Sequence, residues 1–240
     1  YLNGKGVAVD QVEAVRWFRM AAEKGNSDAQ YELSLRYLNG QGVPRNLDEF
    51  FKWSKMAAEQ GNKFALLSVG SAYRQGLGVA KDPVEAAKWI RKAADHDNSA
   101  AQYILGVIYK MGEGVPVDHV EALKWFHFSA DQNHPLALYE LGLAAERGDG
   151  IPQNFTDAAQ YYRRAADRGS ADAQIRLSNF YSLGRGVPTD LSLAYFWCRL
   201  AAMQPQKGEL LAMANNIGSH LSPTERSARD QEIKDWKPAK

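Results

Sequence analysis

The sequence predicts an all-α protein built from about five and a half repeated helix pairs. Three observations lead to this prediction: Gly-x-Gly pairs recur at a fixed step of 36 residues, a helix-capping residue follows each pair, and small and large apolar residues follow each cap in a regular order. A period of this length indicates a solenoid, in which each repeat packs mainly on its neighbours. We expect the repeats to occupy residues 1–217, and a capping helix with a tail to occupy residues 218–240.

The glycine pairs mark the turn between the two helices of each repeat. They begin at Gly4, Gly40, Gly76, Gly112, Gly148 and Gly184. Helix-capping residues follow the second glycine of each pair, namely Asp10, Asn46, Asp82, Asp118, Asn154 and Asp190. Their side-chain oxygens accept hydrogen bonds from unpaired N–H groups at a helix start, so a helix, called helix B, should begin after each. Reciprocal capping boxes are predicted at Glu13, Glu49, Glu85 and Glu121.

Helix B carries a packing pattern of small and aromatic residues. The aromatic position holds Trp17, Trp89, Trp125, Tyr161 and Trp197, and paired alanines follow it in most repeats. Small and large residues three and four apart share one helix face, which indicates close contact with another helix. Gly25, Gly61 and Gly169 are expected to end helix B in the left-handed conformation.

A second helix, called helix A, should follow each helix B at once. Ser27 with Gln30 and Ser99 with Gln102 predict its capping boxes. Its buried stripe runs through Leu33, Val69, Leu105, Leu141 and Leu177. The small residues that follow these positions should let a neighbouring helix approach; they are Ser34, Gly70, Gly106, Gly142 and Ser178.

Several repeats depart from the pattern. Phe50 replaces an alanine and Ser54 replaces a large residue four positions on, so we expect bulk to have moved rather than been added. Ala145 replaces the tyrosine of helix A and should leave a shallow site unless a neighbour fills it. Ser222 and Pro223 predict the start of a charged terminal capping helix.

Composition and motifs argue against several function classes. The net charge of +1 gives no reason to expect nucleic acid, and no apolar run is long enough to span a membrane. The histidines show no metal-binding spacing, so neither a metal nor a cofactor is expected. Cys198 is expected to be a buried, reduced core thiol rather than a nucleophile. Asn154 lies in a glycosylation sequon, but a role as helix cap is favoured.

The repeat pattern A-x-x-x-L-G-x-x-Y-x-x-G-x-G-V-x-x-D-x-x-x-A-x-x-W-x-x-x-A-A resembles the Sel-1-like repeat, a relative of the tetratricopeptide repeat. The resemblance implies a right-handed superhelix of helix pairs, a bacterial source and an adaptor role in which helix A lines the concave side. It brings no catalytic residues, and this chain lacks the cysteines of a disulfide-stapled bacterial branch. It also favours a periplasmic or secreted location.

The predicted partner-binding surface lies on helix A, opposite its buried stripe. A face that meets only water should be polar. Instead, this face is partly aromatic and aliphatic, and basic residues follow one turn on. The candidate binding residues are Tyr31, Leu35, Leu67, Arg74, Tyr103, Val107, Lys110, Tyr139, Leu143 and Arg147. Two interpretations stay open: a groove for a peptide with apolar and acidic residues, or crowding between adjacent A helices.

The predicted function is a non-enzymatic scaffold for a partner protein or peptide. The alternatives are an exported or envelope protein that binds a small ligand or cell-wall fragment, and a hydrolase that uses the repeats as a scaffold. We expect a monomer, with association through the N-terminal end as a further route. Tyr1 aligns with Tyr37 and Tyr73 late in helix A, so upstream residues are expected to cover Trp17 and its neighbours.

Overall fold

A computed structural model describes residues 10–204 and 209–239, and these residues form thirteen α-helices. The helices are α1 (Gln11–Glu23), α2 (Ser27–Asn39), α3 (Leu47–Glu59), α4 (Lys63–Gln75), α5 (Pro83–Asp95), α6 (Ser99–Met111), α7 (His119–Asp131), α8 (Pro135–Arg147), α9 (Phe155–Asp167), α10 (Ala171–Leu183), α11 (Leu191–Ala202), α12 (Glu209–Gly218) and α13 (Pro223–Asp235). The described ranges contain no strand, and the all-α repeat fold is confirmed. The predicted turn at Gly4 lies outside them.

The chain divides into two compact units, and each is a set of stacked helix pairs. The first unit runs from Tyr1 to Asp118 and contains α1–α6; the second runs from His119 to Lys240 and contains α7–α13. Within each unit, every helix up to α11 packs on the next helix along the chain, and α13 packs on α11. The odd-numbered helices from α1 to α11 are the predicted B helices, and α2 to α10 with even numbers are the A helices.

The two glycines of a turn have different tasks, as the turn between α6 and the next B helix shows. Gly112 ends α6 at φ +72°, and its N–H donates to the carbonyl oxygen of Ile108. Gly114, at φ +75°, lies against the first turn of α5, where a Cβ would come within 2.2 Å of the Pro83 carbonyl oxygen. The first glycine therefore ends the helix, and the second lets backbone pack directly on backbone.

Five of the six predicted caps of helix B are seen as side-chain hydrogen bonds in the described residues. The side chains of Asp10, Asn46, Asp82, Asn154 and Asp190 accept from N–H groups of the first helical turn. The glutamates proposed to complete capping boxes make other contacts: Glu49 accepts from Lys52 and from the Trp53 indole, and Glu13 pairs with Arg16. The cap of helix B thus rests on the first residue of the motif.

The predicted capping boxes of helix A are wrong by one residue. Asn26 and Asn98 are the caps, and they accept from the N–H groups of Ala29 and Ala101. The reason is that the residue directly before each cap, Gly25 or Asp97, is left-handed and turns the chain there. Asn26 or Asn98 is then the extended residue from which the helix starts. Gln30, the predicted box partner, is buried and donates its Nε2 to the Ala22 carbonyl oxygen of helix B.

The buried glutamine recurs and joins the two helices of a pair. Gln102 and Gln174 donate in the same way to the carbonyl oxygens of Ala94 and Ala166. A buried carbonyl at a helix end costs free energy when it is unpaired, so these bonds stabilise the turn from helix B to helix A. Leu66 and Leu138 take the same place in the alternate repeats.

Small residues on helix A let the next helix B approach closely, as predicted. A Cβ on Gly70 would lie 2.5 Å from a side-chain carbon of Ile90, and one on Gly142 would lie 2.5 Å from the Tyr162 ring. Ser178 instead lies beside the smaller Cys198, and its hydroxyl donates to the Ala194 carbonyl oxygen at 2.8 Å. Each of the two glycines on helix A therefore faces a large side chain on the next helix B, whereas the serine faces a small one.

The positions at which α3 and α8 depart from the repeat pattern are buried. Phe50 and Ser54 are both buried, which agrees with the predicted shift of bulk along α3. Ala145 is also fully buried, so neighbouring side chains close the expected shallow site. Trp17, in contrast, is 53% exposed, whereas its equivalent Trp53 is 6% exposed. Its covering by upstream residues stays a prediction.

The C-terminal helices complete the second unit. Ser222 and Glu225 form a reciprocal capping box at the start of α13. The Tyr195 hydroxyl of α11 donates to Asp230 of α13 at 2.7 Å. Cys198 is buried, as predicted, with its sulfur 3.6 Å from the Leu210 carbonyl oxygen.

Candidate partner-binding surface

An aromatic pair opens the helix-A face of the first unit. The rings of Tyr31 on α2 and Phe64 on α4 stack with centroids 5.9 Å apart and planes inclined at 21°. Phe64 is nevertheless 51% exposed, and the Lys63 ammonium lies 5.1 Å from its ring centroid. Partial burial raises the pKa of the Tyr31 hydroxyl. Two adjacent A helices thus hold a fixed aromatic surface that still meets solvent.

The apolar surface continues along α4 and α6. Leu67, Tyr103 and Val107 are partly exposed, and Met111 at the end of α6 is 63% exposed. Leu35 on α2 is also partly exposed. An apolar helix face that is left partly open to water is typical of an interaction surface. We call this set, with Tyr31 and Phe64, the first-unit A face.

An ion pair joins two repeats at the end of this face. Arg74 donates from Nε to one Glu113 oxygen at 2.6 Å and from Nη2 to the other at 2.9 Å. This contact holds the pKa of Glu113 below its usual range and raises the pKa of Arg74. Because Glu113 compensates its charge, Arg74 contributes less to the predicted basic rim than its sequence position indicates. Lys110 lies partly buried one repeat further on.

The corresponding residues of the second unit are packed more tightly. Leu143 is only 8% exposed, and the ring of Tyr139 lies 5.8 Å from that of Tyr162. Arg147 is exposed at the end of α8. In this unit the crowding interpretation fits Leu143, whereas Tyr139 stays partly exposed, as Tyr103 does in the first-unit A face.

A polar cluster explains why Tyr139 is held. The Tyr162 hydroxyl donates to Glu146 at 2.5 Å, and Arg176 lies 3.5 Å from the other Glu146 oxygen and near the Tyr139 hydroxyl. Burial first, and then the Glu146 carboxylate, raise the pKa of Tyr162. Tyr139 therefore has a structural partner on α10 as well as an aromatic one on α9.

Two residues of the surface were missed by sequence reasoning. Phe64 and Met111 lie outside the positions two before and two after the buried stripe. The register offered a signal for Phe64, because the same place holds Asp28 and Asp172 in other repeats. The remaining two repeats hold Ala100 and Leu136 at this place, so the signal is weak.

The titratable groups of the described residues form structural contacts. Burial raises the pKa of the Cys198 thiol, which is opposite to the shift that activates a nucleophile. Asn154 caps α9 by accepting from Thr156 and Asp157, as predicted. In the described ranges, no three or more His, Cys, Asp and Glu side chains are grouped as metal ligands. No helix there is long and apolar enough to cross a membrane.

Most of the sequence matches the family model described as the Sel1 repeat. The matched segments are residues 1–26, 27–62, 64–98, 99–134, 135–170 and 171–205. These cover most of the chain, so the protein belongs to the Sel1 repeat family. Members of this family are generally scaffolds for protein interaction. A comparison with curated proteins gives no match.

Solved structures with this fold come from several bacteria. A Sel1 repeat protein from Oxalobacter formigenes is 31% identical, with a TM-score of 0.79 over 89% of this chain and 62% of that one. The immunity protein PA5088 from Pseudomonas aeruginosa is 21% identical, with a TM-score of 0.52 over 92% of this chain and 84% of that one. A putative Sel1 repeat protein from Klebsiella pneumoniae is 18% identical, with a TM-score of 0.51 over 85% of this chain and 99% of that one. The last two support the fold alone.

Proposed function

We propose that this protein is a non-enzymatic scaffold that binds a partner protein through the first-unit A face. The observation that carries the proposal is Phe64, a stacked but half-exposed aromatic ring at the centre of a partly exposed apolar surface. A helix face that met only water would be expected to carry polar residues at these places. Rigid aromatic side chains lose little conformational entropy on binding, so they serve well as anchors.

The chemistry of the face favours a partner segment with apolar side chains. Tyr31, Phe64, Leu67 and Val107 offer ring and methyl surface, and Met111 adds an adaptable thioether. A supporting acidic residue in the partner would meet Lys63, whose ammonium lies over the Phe64 ring. Arg74 is less suited to this role because Glu113 already occupies two of its donors.

The test is to select ligands for the intact chain from a phage-displayed random peptide library and to titrate them by fluorescence anisotropy. Phe64→Ser should weaken the enriched peptides at least about tenfold, because a buried aromatic anchor contributes about 1–2 kcal/mol or more. Val84→Ser is the matched control, since Val84 is 48% exposed on a B helix of the same unit. Its binding should equal that of the unaltered chain.

Two tyrosines at the same repeat position, Tyr103 and Tyr139, provide a second test. Tyr103→Ala should reduce peptide binding, and Tyr139→Ala should lower the melting temperature by disturbing the contact to Tyr162. The proposal is contradicted if no peptide is enriched, or if Phe64→Ser binds normally. It is also contradicted if Tyr103→Ala melts much earlier while binding survives.

A further inference from the structure

A cleft in the second unit lies between α9, α10 and the turn after α10. Its volume is about 490 Å³, within the roughly 300–1,000 Å³ typical of ligand-binding clefts. Ala159, Leu177, Tyr181 and Val187 give it an apolar lining. Gln160, Arg163 and Arg164 lie at the same cleft and are its polar members. It is separate from the first-unit A face and does not depend on the function proposed for that face.

The cleft arises because one repeat lacks a side chain that others have. Ala159 stands where Phe51, Leu123 and Tyr195 stand in alternate repeats. In the first unit the Phe51 ring packs against Tyr73, with centroids 5.2 Å apart, and so covers the tyrosine. Tyr181 has no such ring over it from position 159.

In the two other repeats without a large residue at this position, which hold Val15 and Ala87, an arginine reaches the tyrosine. Arg19 donates to the Tyr37 hydroxyl, and Arg91 donates to the Tyr109 hydroxyl. The equivalent Arg163 instead pairs with Asp167 at 3.1 Å and stacks over the Trp197 ring at 4.9 Å. No hydrogen bond to the Tyr181 hydroxyl is present within the described residues, so this repeat keeps an open apolar site with a phenol at its wall.

The charge beside the cleft is positive. Arg164 donates to the Ala130 carbonyl oxygen and the Asn133 side-chain oxygen, which are both neutral. Arg163 uses Nε for Asp167, and its other donors make no hydrogen bond in the described part of the chain. A guanidinium has five N–H donors, so both arginines retain donors that suit a carboxylate.

We propose that this α9–α10 cleft binds an apolar side chain that carries a neighbouring carboxylate, as at the C-terminus of a partner peptide. The side chain lies on Ala159 and Leu177, and the carboxylate meets the Arg163 and Arg164 guanidinium groups and the Tyr181 hydroxyl. Burial of the side chain supplies affinity, and the charge-assisted hydrogen bonds supply selectivity for a free carboxylate over an amide.

The experiment uses the full chain, labelled with ¹⁵N, and N-acetyl-L-phenylalanine as the probe. Amide resonances should shift in a saturable way within residues 156–164 and 177–187. N-acetyl-L-phenylalaninamide, which lacks the charge, should bind about tenfold more weakly, as expected for the loss of a charge-assisted pair. Equal affinity for the two probes would overturn the carboxylate part of the proposal.

Filling the cleft gives the second test. Ala159→Leu should abolish binding, and the fold should tolerate it because Leu123 occupies the same repeat position. Ala87→Leu, the matched change in the first unit, should leave binding unchanged. Arg164→Gln should weaken the carboxylate probe about tenfold and leave the amide probe unaffected. Shifts that are absent or scattered over the chain, or binding that survives in Ala159→Leu, would overturn the site; melting curves verify that each variant is folded.

Discussion

The α5–α6 pair of the first unit and the α9–α10 pair of the second share the same repeat positions but differ at their surface. Both have an alanine, an arginine and a tyrosine in the same register: Ala87, Arg91 and Tyr109 in one, and Ala159, Arg163 and Tyr181 in the other. In α5–α6 the arginine binds the tyrosine, and in α9–α10 it turns to Asp167 and Trp197. The same arginine position therefore takes a tyrosine partner in one pair and lies beside a cleft in the other.

The acidic residue by itself does not explain the difference. Asp95 holds the same position relative to Arg91 as Asp167 holds relative to Arg163. The aromatic ring does not explain it either, because Arg163 lies over the buried Trp197 ring and Trp125 holds the same position relative to Arg91. Both pairs therefore have a carboxylate, an indole and a phenol in the same register, yet Arg91 donates to its tyrosine and Arg163 donates to its aspartate. Surface character in this repeat protein thus depends on contacts that the helix pair alone does not determine.

The largest expected effect concerns the feature that both pairs share. Gly114→Ala and Gly186→Ala should each destabilise the protein by about 3 kcal/mol, because a Cβ at a positive φ would also collide with backbone. The collisions would be with the Pro83 and Phe155 carbonyl oxygens, each at 2.2 Å. Urea unfolding followed by circular dichroism measures the change.

The control is the first glycine of the same turn. At Gly112 a Cβ would come within 2.8 Å of a Val117 methyl group, which can move. Gly112→Ala should therefore cost about 1 kcal/mol, mostly from the left-handed backbone. If Gly112→Ala and Gly114→Ala were equally destabilising, backbone contact between repeats would not explain the second glycine.

The fold could be predicted from the sequence because its determinants are local and repeated. Asp82 and Asn154 cap their helices as the spacing indicates, and Gly70 and Gly142 lie at the close contacts expected of small residues. The caps of helix A were misplaced because Ser27 and Asn26 are both good cap residues. Only the backbone conformation of Gly25 decides between them.

The candidate surface was predicted less completely, since it depends on which long side chains pair across repeats. The helical period places Tyr103 and Tyr139 at the same repeat position, but it cannot show that Arg176 lies near Tyr139. It likewise cannot show that Glu113, which lies in a turn, forms an ion pair with Arg74. Such contacts join residues from different repeats, and the choice among several acceptors depends on side-chain geometry that the repeat register leaves open.

A smaller effect should separate the two arginines. Arg91→Gln removes a partly buried hydrogen bond to Tyr109 and should destabilise the protein by about 1 kcal/mol. Arg163→Gln breaks an exposed pair with Asp167 and should cost about 0.5 kcal/mol or less. Urea unfolding of both variants under one set of conditions tests this order. The reverse order would show that the contact to Trp197 dominates and that the comparison of the two surfaces has been misjudged.

The smallest expected effect concerns the turns from helix B to helix A, where Asp97 and Gly169 hold the same position. Both are left-handed, at φ +55° and φ +85°, and only Asp97 carries a side chain that this conformation disfavours. Asp97→Gly should therefore stabilise the protein by about 0.5 kcal/mol, since relief of the side-chain strain exceeds the entropy that glycine loses on folding. Gly169→Ala should destabilise it by about 1 kcal/mol, because alanine is strained at this positive φ. A clash adds nothing to this cost, since the Cβ would meet Pro238 at an ordinary distance of 3.5 Å. Thermal melting with opposite signs for the two substitutions would confirm that backbone conformation governs both turns; a loss of stability in Asp97→Gly would instead show that the aspartate makes a contact of its own.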